Sequence, residues 1–292
     1  MRPLLLTRLA VALAALAILP DLCVAQIRAS ERGSTAQTID GTTISMDYGR
    51  PQVRGRTNLF GGEVPWGKIW TPGANWATTL ETSRDITING HEVTAGRYSL
   101  WFEVQPDGWS VIIDPEPRRF HLMPPPVSAE QVRFTVQPTG DAPHTEMLTW
   151  SFLAVRPTGG TLRFSWANTR VDFDVGVHPS RPLTVSRDVA DRLTGTYKLH
   201  LNGPIGNDVV DYRISYEDGH LVGHWPAAPN PRLQTTWLIS LGAGMFAPGE
   251  LDDGALFDIV VDLIFEFPVE GPVTEFELRG PGDVLWGTGA RT

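Results

Sequence analysis

Alternating apolar and polar positions predict β-strands through the first half of the chain. Ile44, Met46 and Tyr48 alternate with polar residues, which is typical of a strand with one buried face. The dipeptide Asn89-Gly90 and the segment Pro106-Asp107-Gly108 then predict tight hairpin turns between further strands. No helical crossover of adequate length separates these strands. We therefore expect an antiparallel β-sandwich.

The hairpin across Pro106-Asp107-Gly108 predicts which side chains form the core. If Val104 pairs with Trp109, strand alternation sends seven apolar side chains to one face. They are Tyr98, Leu100, Phe102, Val104, Trp109, Val111 and Ile113. Trp101 and Ile112 point to the opposite, polar face, where they need a cover or a ligand.

Further strands are expected at 131–137, 146–156 and 161–177, after a Pro-rich segment, 116–129, that cannot pair regularly. Residues 26–178 thus form the predicted sandwich domain.

Pro179 and Pro182 interrupt the last strand and mark a connector, 179–192, with a short helix at 185–193. Residues 193–292 predict a small antiparallel β-barrel or strongly curved sheet, with seven strands at 195–201, 209–217, 220–225, 233–241, 256–267, 273–279 and 284–287.

Residues 1–25 have the order of a secretory signal peptide. Arg2 and Arg8 precede or flank an apolar run, and Cys23-Val24-Ala25 supplies small residues at the cleavage site. The run is too short to span a bilayer, which takes about 20 residues. We expect cleavage after Ala25 and an exported protein, periplasmic or secreted, with no transmembrane segment in the mature chain. Cleavage also removes the only cysteine, so no disulfide or thiolate chemistry remains.

The charge balance argues against nucleic-acid partners. The chain of 292 residues has 24 basic and 33 acidic residues, a formal net charge of -9, whereas nucleic-acid binding usually needs a basic surface. Signatures of serine hydrolases, zinc proteases, phosphate loops and dinucleotide folds do not occur. The sequence therefore predicts no cofactor and no metal.

Several motifs in one order resemble a bacterial family of exported proteins, domain-of-unknown-function family 2911. The motifs include Asp47-Tyr48-Gly49-Arg50-Pro51, Val64-Pro65-Trp66-Gly67-Lys68, Gly73-Ala74-Asn75 and the stretch from Ala95 to Trp101. The resemblance covers about 27–177 and implies an exported β-rich domain without an established reaction. The second half resembles small lipocalin-like β domains through Gly195-Thr196-Tyr197 and the segments 217–221 and 273–278, which implies an accessory domain.

Aromatic and basic side chains interleave on an irregular, Gly- and Pro-rich stretch. Such side chains suit sugars, aromatic acids or carboxylates, through stacking and bidentate hydrogen bonds. The candidate ligand-binding residues are Tyr48, Arg50, Arg56, Trp66, Trp70, Asn75 and Trp101. We expect Arg56, Trp70, Asn75 and Trp101 to surround one cleft. In the alternative interpretation, the tryptophans fill the core and the arginines cap carbonyl groups.

Three functions follow as hypotheses. The first is an exported, non-catalytic envelope module that binds a small polar or aromatic ligand or a glycan. The second is a hydrolase or isomerase with an unrecognised site, for which Asp47 and Glu103 are a candidate acid–base pair. The third is a structural module that binds a protein partner of unknown identity.

Two groups of polar residues in the second half have non-catalytic interpretations. His220 and His224 stand too far apart on a strand to share a metal ion. Asp258, Asp262 and Glu266 are expected on one solvated face of a strand.

Overall fold

The structure, a computed structural model, describes residues 29–252 and 254–292. The predicted signal peptide lies outside the described residues. The described chain is almost entirely β, as expected, and its strands form three antiparallel sheets.

Two sheets in the first half form a sandwich around one hydrophobic core. The seven-stranded sheet contains, side by side, β1 (Arg32–Ile39), β2 (Thr42–Gly49), β4 (Thr78–Thr82), β7 (Gly96–Glu103), β8 (Trp109–Asp114) and β9 (Val132–Val136), with β3 (Ile69–Trp70) also on β7. The five-stranded sheet contains, side by side, β10 (Thr145–Arg156), β11 (Gly159–Ala167), β12 (Thr169–Val177), β5 (Ile86–Ile88) and β6 (His91–Val93).

The predicted core face is confirmed. Leu100 pairs with Ile113 and Phe102 with Val111, as the hairpin register requires. Six of the seven expected side chains are buried, and Tyr98 packs against them partly buried. The Asn89-Gly90 turn is also confirmed: both residues have positive φ, 49° and 78°, as a tight hairpin turn demands.

The chain itself covers the apolar residues of the opposite face. Trp101 and Ile112 are both 0% exposed and pack with Ala77 and Ile69. The Pro-rich segment crosses this face: Ser99 Oγ donates to Glu116 O at 2.7 Å, and Ala77 N donates to Arg119 O at 2.9 Å. The expectation that Trp101 lines an open cleft is therefore wrong.

The single strand expected at 161–177 is two strands, β11 and β12. They meet at a two-residue turn, Ala167-Asn168, because Trp166 pairs directly with Thr169. Ala167 adopts a positive φ of 51° there, an uncommon conformation for alanine. The turn has no glycine or proline, and Asn168 is its only residue of a type that favours turns.

A closed eight-stranded barrel forms the second half, preceded by a short helix. The helix α1 (Arg187–Leu193) begins after Ser186, whose side chain accepts a hydrogen bond from Val189 N, an N-terminal cap. The barrel strands, in spatial order, are β13 (Gly195–Leu201), β14 (Val209–Glu217), β15 (His220–His224), β16 (Thr235–Gly242), β17 (Met245–Asp252), β19 (Ile264–Glu266), β20 (Glu275–Gly280) and β21 (Val284–Arg291), with β18 (Ala255–Ile259) on the edge of β17.

Two strand predictions in the barrel are wrong. Strand β17 is absent from the seven predicted strands. It contains Pro248, a residue that is normally excluded from a sheet interior, yet Pro248 pairs with Leu238 there. The strand expected at 256–267 is broken into β18 and β19, which both pair with β17. Asp258, Asp262 and Glu266 therefore do not share the face of one strand, since Asp262 lies in the turn between the two.

The sandwich and the barrel have separate hydrophobic cores, which share no residue among those that the structure describes. Independent folding of 26–178 and 193–292 stays a prediction.

Candidate functional site

A pocket of about 360 Å³ lies on the outer face of the seven-stranded sheet. We call it the arginine pocket. Its lining residues are Ser30, Arg32, Asp47, Asn75, Trp76, Ala77, Thr79, Arg97, Pro117 and Arg118.

Strand register explains where the floor of the pocket lies. Asp47 on β2 pairs with Thr79 on β4, and Thr79 pairs with Ser99 on β7, so these side chains form one row across the sheet. The side chains of Ala77 and Thr79 are small, so they leave a depression between the longer side chains that line the pocket. Side chains from the edge strand β1 and from β7 supply arginines, and the Pro-rich segment supplies Pro117 and Arg118.

Positive charge exceeds negative charge among the lining residues, which include three arginines and one carboxylate. That carboxylate, Asp47, forms an ion pair with Arg32. Arg97 lies 3.8 Å from Glu81, which is exposed and outside the pocket lining. The arrangement favours an anionic ligand, because guanidinium groups bind carboxylates and phosphates through paired hydrogen bonds.

The surroundings of Arg32 disfavour its charged form. Burial, and then the nearby positive charge of Arg97, lower the pKa of the Arg32 guanidinium from its usual value.

An aromatic surface lies at the rim. The guanidinium carbon of Arg118 lies 4.9 Å from the ring centre of Trp76, a cation–π contact. Phe120 meets the same indole edge-on, with ring centres 5.7 Å apart. Trp76 is nevertheless 41% exposed, so its indole remains available to a ring-bearing ligand.

The structure separates the residues that the sequence placed in one cleft. Of the seven candidates only Asn75 lines the arginine pocket. Arg56 lines a different cleft. Trp101 is buried in the small cluster described above, and Trp70 is half-buried and stacks on Trp166, with ring centres 5.8 Å apart. The expectation of a single cleft around Arg56, Trp70, Asn75 and Trp101 does not match this placement.

Of the other three candidates, Tyr48 and Arg50 have positions typical of structural residues, whereas Trp66 is exposed. Tyr48 is buried and donates a hydrogen bond from its hydroxyl to Trp150 O at 3.2 Å. Arg50 lies against Gly33 and contacts the sulfur of Met147. Trp66 is 44% exposed and packs beside Gly61.

Most of the pocket residues were not among the sequence candidates. Strand alternation around Asp47, Thr79 and Arg97 places all three on the polar face, so the pattern contained part of the signal. Arg32 lies on the edge strand β1. The pairing of β1 with β2 places Arg32 near the pocket, and this register is known only from the folded chain. Arg118 lies in an irregular segment, where no periodicity indicates direction.

His220 and His224 have separate partners. His220 Nδ1 lies 2.9 Å from Leu183 O, and His224 Nε2 lies 2.7 Å from Ser215 Oγ. Within the ranges that the structure covers, no group of three or more His, Cys, Asp or Glu side chains is arranged to hold a metal ion. No helix in the same ranges is long and apolar enough to cross a membrane.

Comparison with known proteins gives one result. A family model described as "Protein of unknown function (DUF2911)" matches residues 30–175, which is the sandwich. No curated protein and no solved structure matches the chain.

Proposed function

Because the chain belongs to the DUF2911 family, whose description assigns no activity, we propose from the site itself that the protein binds a small organic anion carrying a ring. The arginine pocket is the proposed site. The ligand class is an aromatic carboxylate or an acidic sugar.

The observation that carries the proposal is the excess of guanidinium groups in a pocket with an exposed indole. Arg32, Arg97 and Arg118 line it against a single carboxylate, in a protein whose overall charge is negative. The volume of about 360 Å³ lies within the range of small-molecule sites. Arginines would bind the acidic group of the ligand, and Trp76 would contact its ring.

The proposal is for binding without catalysis. General acid–base chemistry needs a side chain free to exchange a proton with the ligand, and besides the arginines the only ionisable side chain lining the pocket is Asp47. Asp47 is instead engaged by Arg32, which supports a role in holding the arginine in place. The two other hypotheses, an enzyme and a protein-interaction module, are outcomes of the test below.

Titration calorimetry tests the site. We would measure benzoate and galacturonate, with benzyl alcohol as the uncharged control, against the chain from Gln26 onward. Arg97→Gln and Arg118→Gln should each weaken binding of the acids by about tenfold or more, since a hydrogen bond to a charged group contributes about 1.5–3 kcal/mol.

Arg181→Gln is the matched control, because Arg181 is exposed in the connector and lies outside the pocket lining. Benzyl alcohol binding as tightly as benzoate would overturn the anion proposal, as would acid binding unchanged in both pocket variants. Turnover of either acid would show an enzyme. Failure of both acids to bind would contradict the proposal, and co-purification with one stoichiometric protein would then favour the interaction module.

We also propose that this binding occurs outside the cytoplasm, in the periplasm or the medium. The signal-peptide pattern of residues 1–25 supports export. Mass spectrometry of the protein from its native cell should find Gln26 at the amino terminus. Detection of Met1 on the accumulated protein, or of a lipid on Cys23, would refute export with cleavage after Ala25.

A further inference from the structure

A second cleft, of about 560 Å³, lies in the sandwich and shares no lining residue with the arginine pocket. We call it the loop cleft. It lies between the loop after β2 and the ends of β10, β11 and β12. Its lining residues are Val53, Gly55, Arg56, Thr57, Asn58, Leu59, Phe60, Gly140, His144, Glu146, Ala167, Asn168 and Thr169.

The positive group of the loop cleft is engaged by the protein. Arg56 Nε donates to Val53 O at 2.9 Å, Nη2 donates to Gln52 O at 2.5 Å, and Nη1 lies 3.3 Å from Glu63 Oε2. Its guanidinium carbon also lies 5.6 Å from the ring centre of Trp166. These contacts leave Arg56 little capacity to bind an anion.

The negative group is engaged as well. Glu146 accepts a hydrogen bond from Arg54 N at 2.9 Å and lies 3.2 Å from His144 Nε2. The backbone hydrogen bond, and then the contact with His144, lower the pKa of Glu146. The amide of Asn168 is fixed too, because its Nδ2 donates to Ala142 O at 3.0 Å. The cleft therefore presents little uncompensated charge.

Uncharged hydrogen-bonding groups remain at the cleft. The side chains of Thr57, Asn58 and Thr169 line the cleft, and none of them forms a side-chain hydrogen bond within the residues that the structure describes. Together they offer two hydroxyl groups and one primary amide, which can both donate and accept. Such groups complement ligand hydroxyls, which also donate and accept.

An aromatic wall stands beside these polar groups. Phe60 lines the cleft half-buried, and its ring centre lies 4.6 Å from that of Trp109 and 6.0 Å from that of Trp166. This packing holds Phe60 in one orientation. A rigid aromatic surface next to neutral donors and acceptors suits a pyranose ring, which has an apolar C–H face and a rim of hydroxyls.

We propose that the loop cleft binds a neutral saccharide. The site is separate from the arginine pocket in residues and in chemistry: one cleft is charge-balanced and rich in free hydroxyl and amide groups, and the other has an excess of arginine. The sandwich would then hold two ligands of different charge class.

NMR titration with maltotriose and with triacetylchitotriose tests this site, and galacturonate serves as the charged comparison. At least one neutral saccharide should bind saturably and shift resonances of loop-cleft residues. The double variant Asn58→Ala/Thr169→Val should weaken that binding by about tenfold, which corresponds to about 1.4 kcal/mol. Thr161→Val is the matched control, because Thr161 lies on β11 outside both sites.

Absence of saturable binding by both neutral saccharides would overturn the proposal. So would binding that the double variant leaves unchanged, or galacturonate binding in the loop cleft as tightly as the neutral sugars. Benzoate affinity, read in the same variants, reports on the arginine pocket alone. A failure of the saccharide site is thereby distinguishable from a failure of the proposed function.

Discussion

Trp101 Nε1 donates a hydrogen bond to Ser99 Oγ at 2.9 Å, and that hydroxyl in turn donates to Glu116 O. The indole is thus fully buried and also joined to the Pro-rich segment that covers it. This relationship makes Trp101 a structural residue of the outer face of the sheet.

Trp101→Ala should lower the free energy of unfolding by about 3–5 kcal/mol, because it leaves a large cavity and removes the hydrogen bond to Ser99. Trp66→Ala is the matched control, since Trp66 is 44% exposed; its cost should stay below about 1 kcal/mol. Urea unfolding followed by circular dichroism measures both. Equal stability of the two variants would contradict the structural role of Trp101.

Gly49→Ala should destabilise the sandwich by about 1–3 kcal/mol, a typical cost of overpacking. A Cβ at this position would lie 2.4 Å from Ala74 O, a backbone atom next to Asn75 in the arginine pocket. Benzoate affinity should therefore fall together with thermal stability. Gly140→Ala provides the comparison, because a Cβ there meets nothing within 4 Å. A Gly49→Ala protein as stable as wild type would show that residues 74–76 can shift freely.

Acid should weaken the five-stranded sheet through Asp172. Arg163 donates two hydrogen bonds to Asp172, at 2.6 and 2.7 Å, and these lower the pKa of the carboxyl. A carboxyl whose folded pKa is lowered stabilises the fold above its unfolded pKa. That contribution disappears as the pH falls through the folded pKa, below about pH 4.

Asp172→Asn should therefore lower the free energy of unfolding at neutral pH and have a smaller effect in acid. The effect should be modest because both side chains are partly exposed to solvent. Asp141→Asn, at an exposed position, should leave the free energy of unfolding unchanged both at neutral pH and in acid. A loss of stability in Asp172→Asn that is the same at every pH would exclude the ion pair as its cause.

Thermolysin should cut the connector before Leu183 or Val185. Trypsin is less suitable, because Pro182 follows Arg181. Asp40 accepts hydrogen bonds from Ser180 N and Oγ, both at 2.6 Å. Leu183 O lies 2.9 Å from His220 Nδ1, and Val185 N donates to Gly219 O at 3.0 Å, so cleavage requires local opening of the connector and should be slow. Each fragment should keep a cooperative unfolding transition, since each contains its own hydrophobic core. A fragment without such a transition would show that the two halves depend on one another.

The sequence by itself determined the properties that depend on neighbouring residues. The all-β class, the buried face from Leu100 to Ile113 and the Asn89-Gly90 turn all follow from side-chain alternation and backbone dihedral preference. Predictions from local sequence were wrong where tertiary packing outweighs the conformational preference of a single residue. Ala167 takes a positive φ in a turn, and Pro248 lies within a barrel strand, because the surrounding strand pairing fixes both positions.

Only the tertiary structure decided which segment covers each face and which arginines meet. Trp101 is buried because residues 116–119 return across the sheet to cover it. Arg32, Arg97 and Arg118 converge on one pocket although long stretches of chain separate them. Alternation tells which face a side chain occupies, but the packing of the whole chain determines what else reaches that face. The position of the pocket is therefore a property of the fold, and the strands that build it are a property of the sequence.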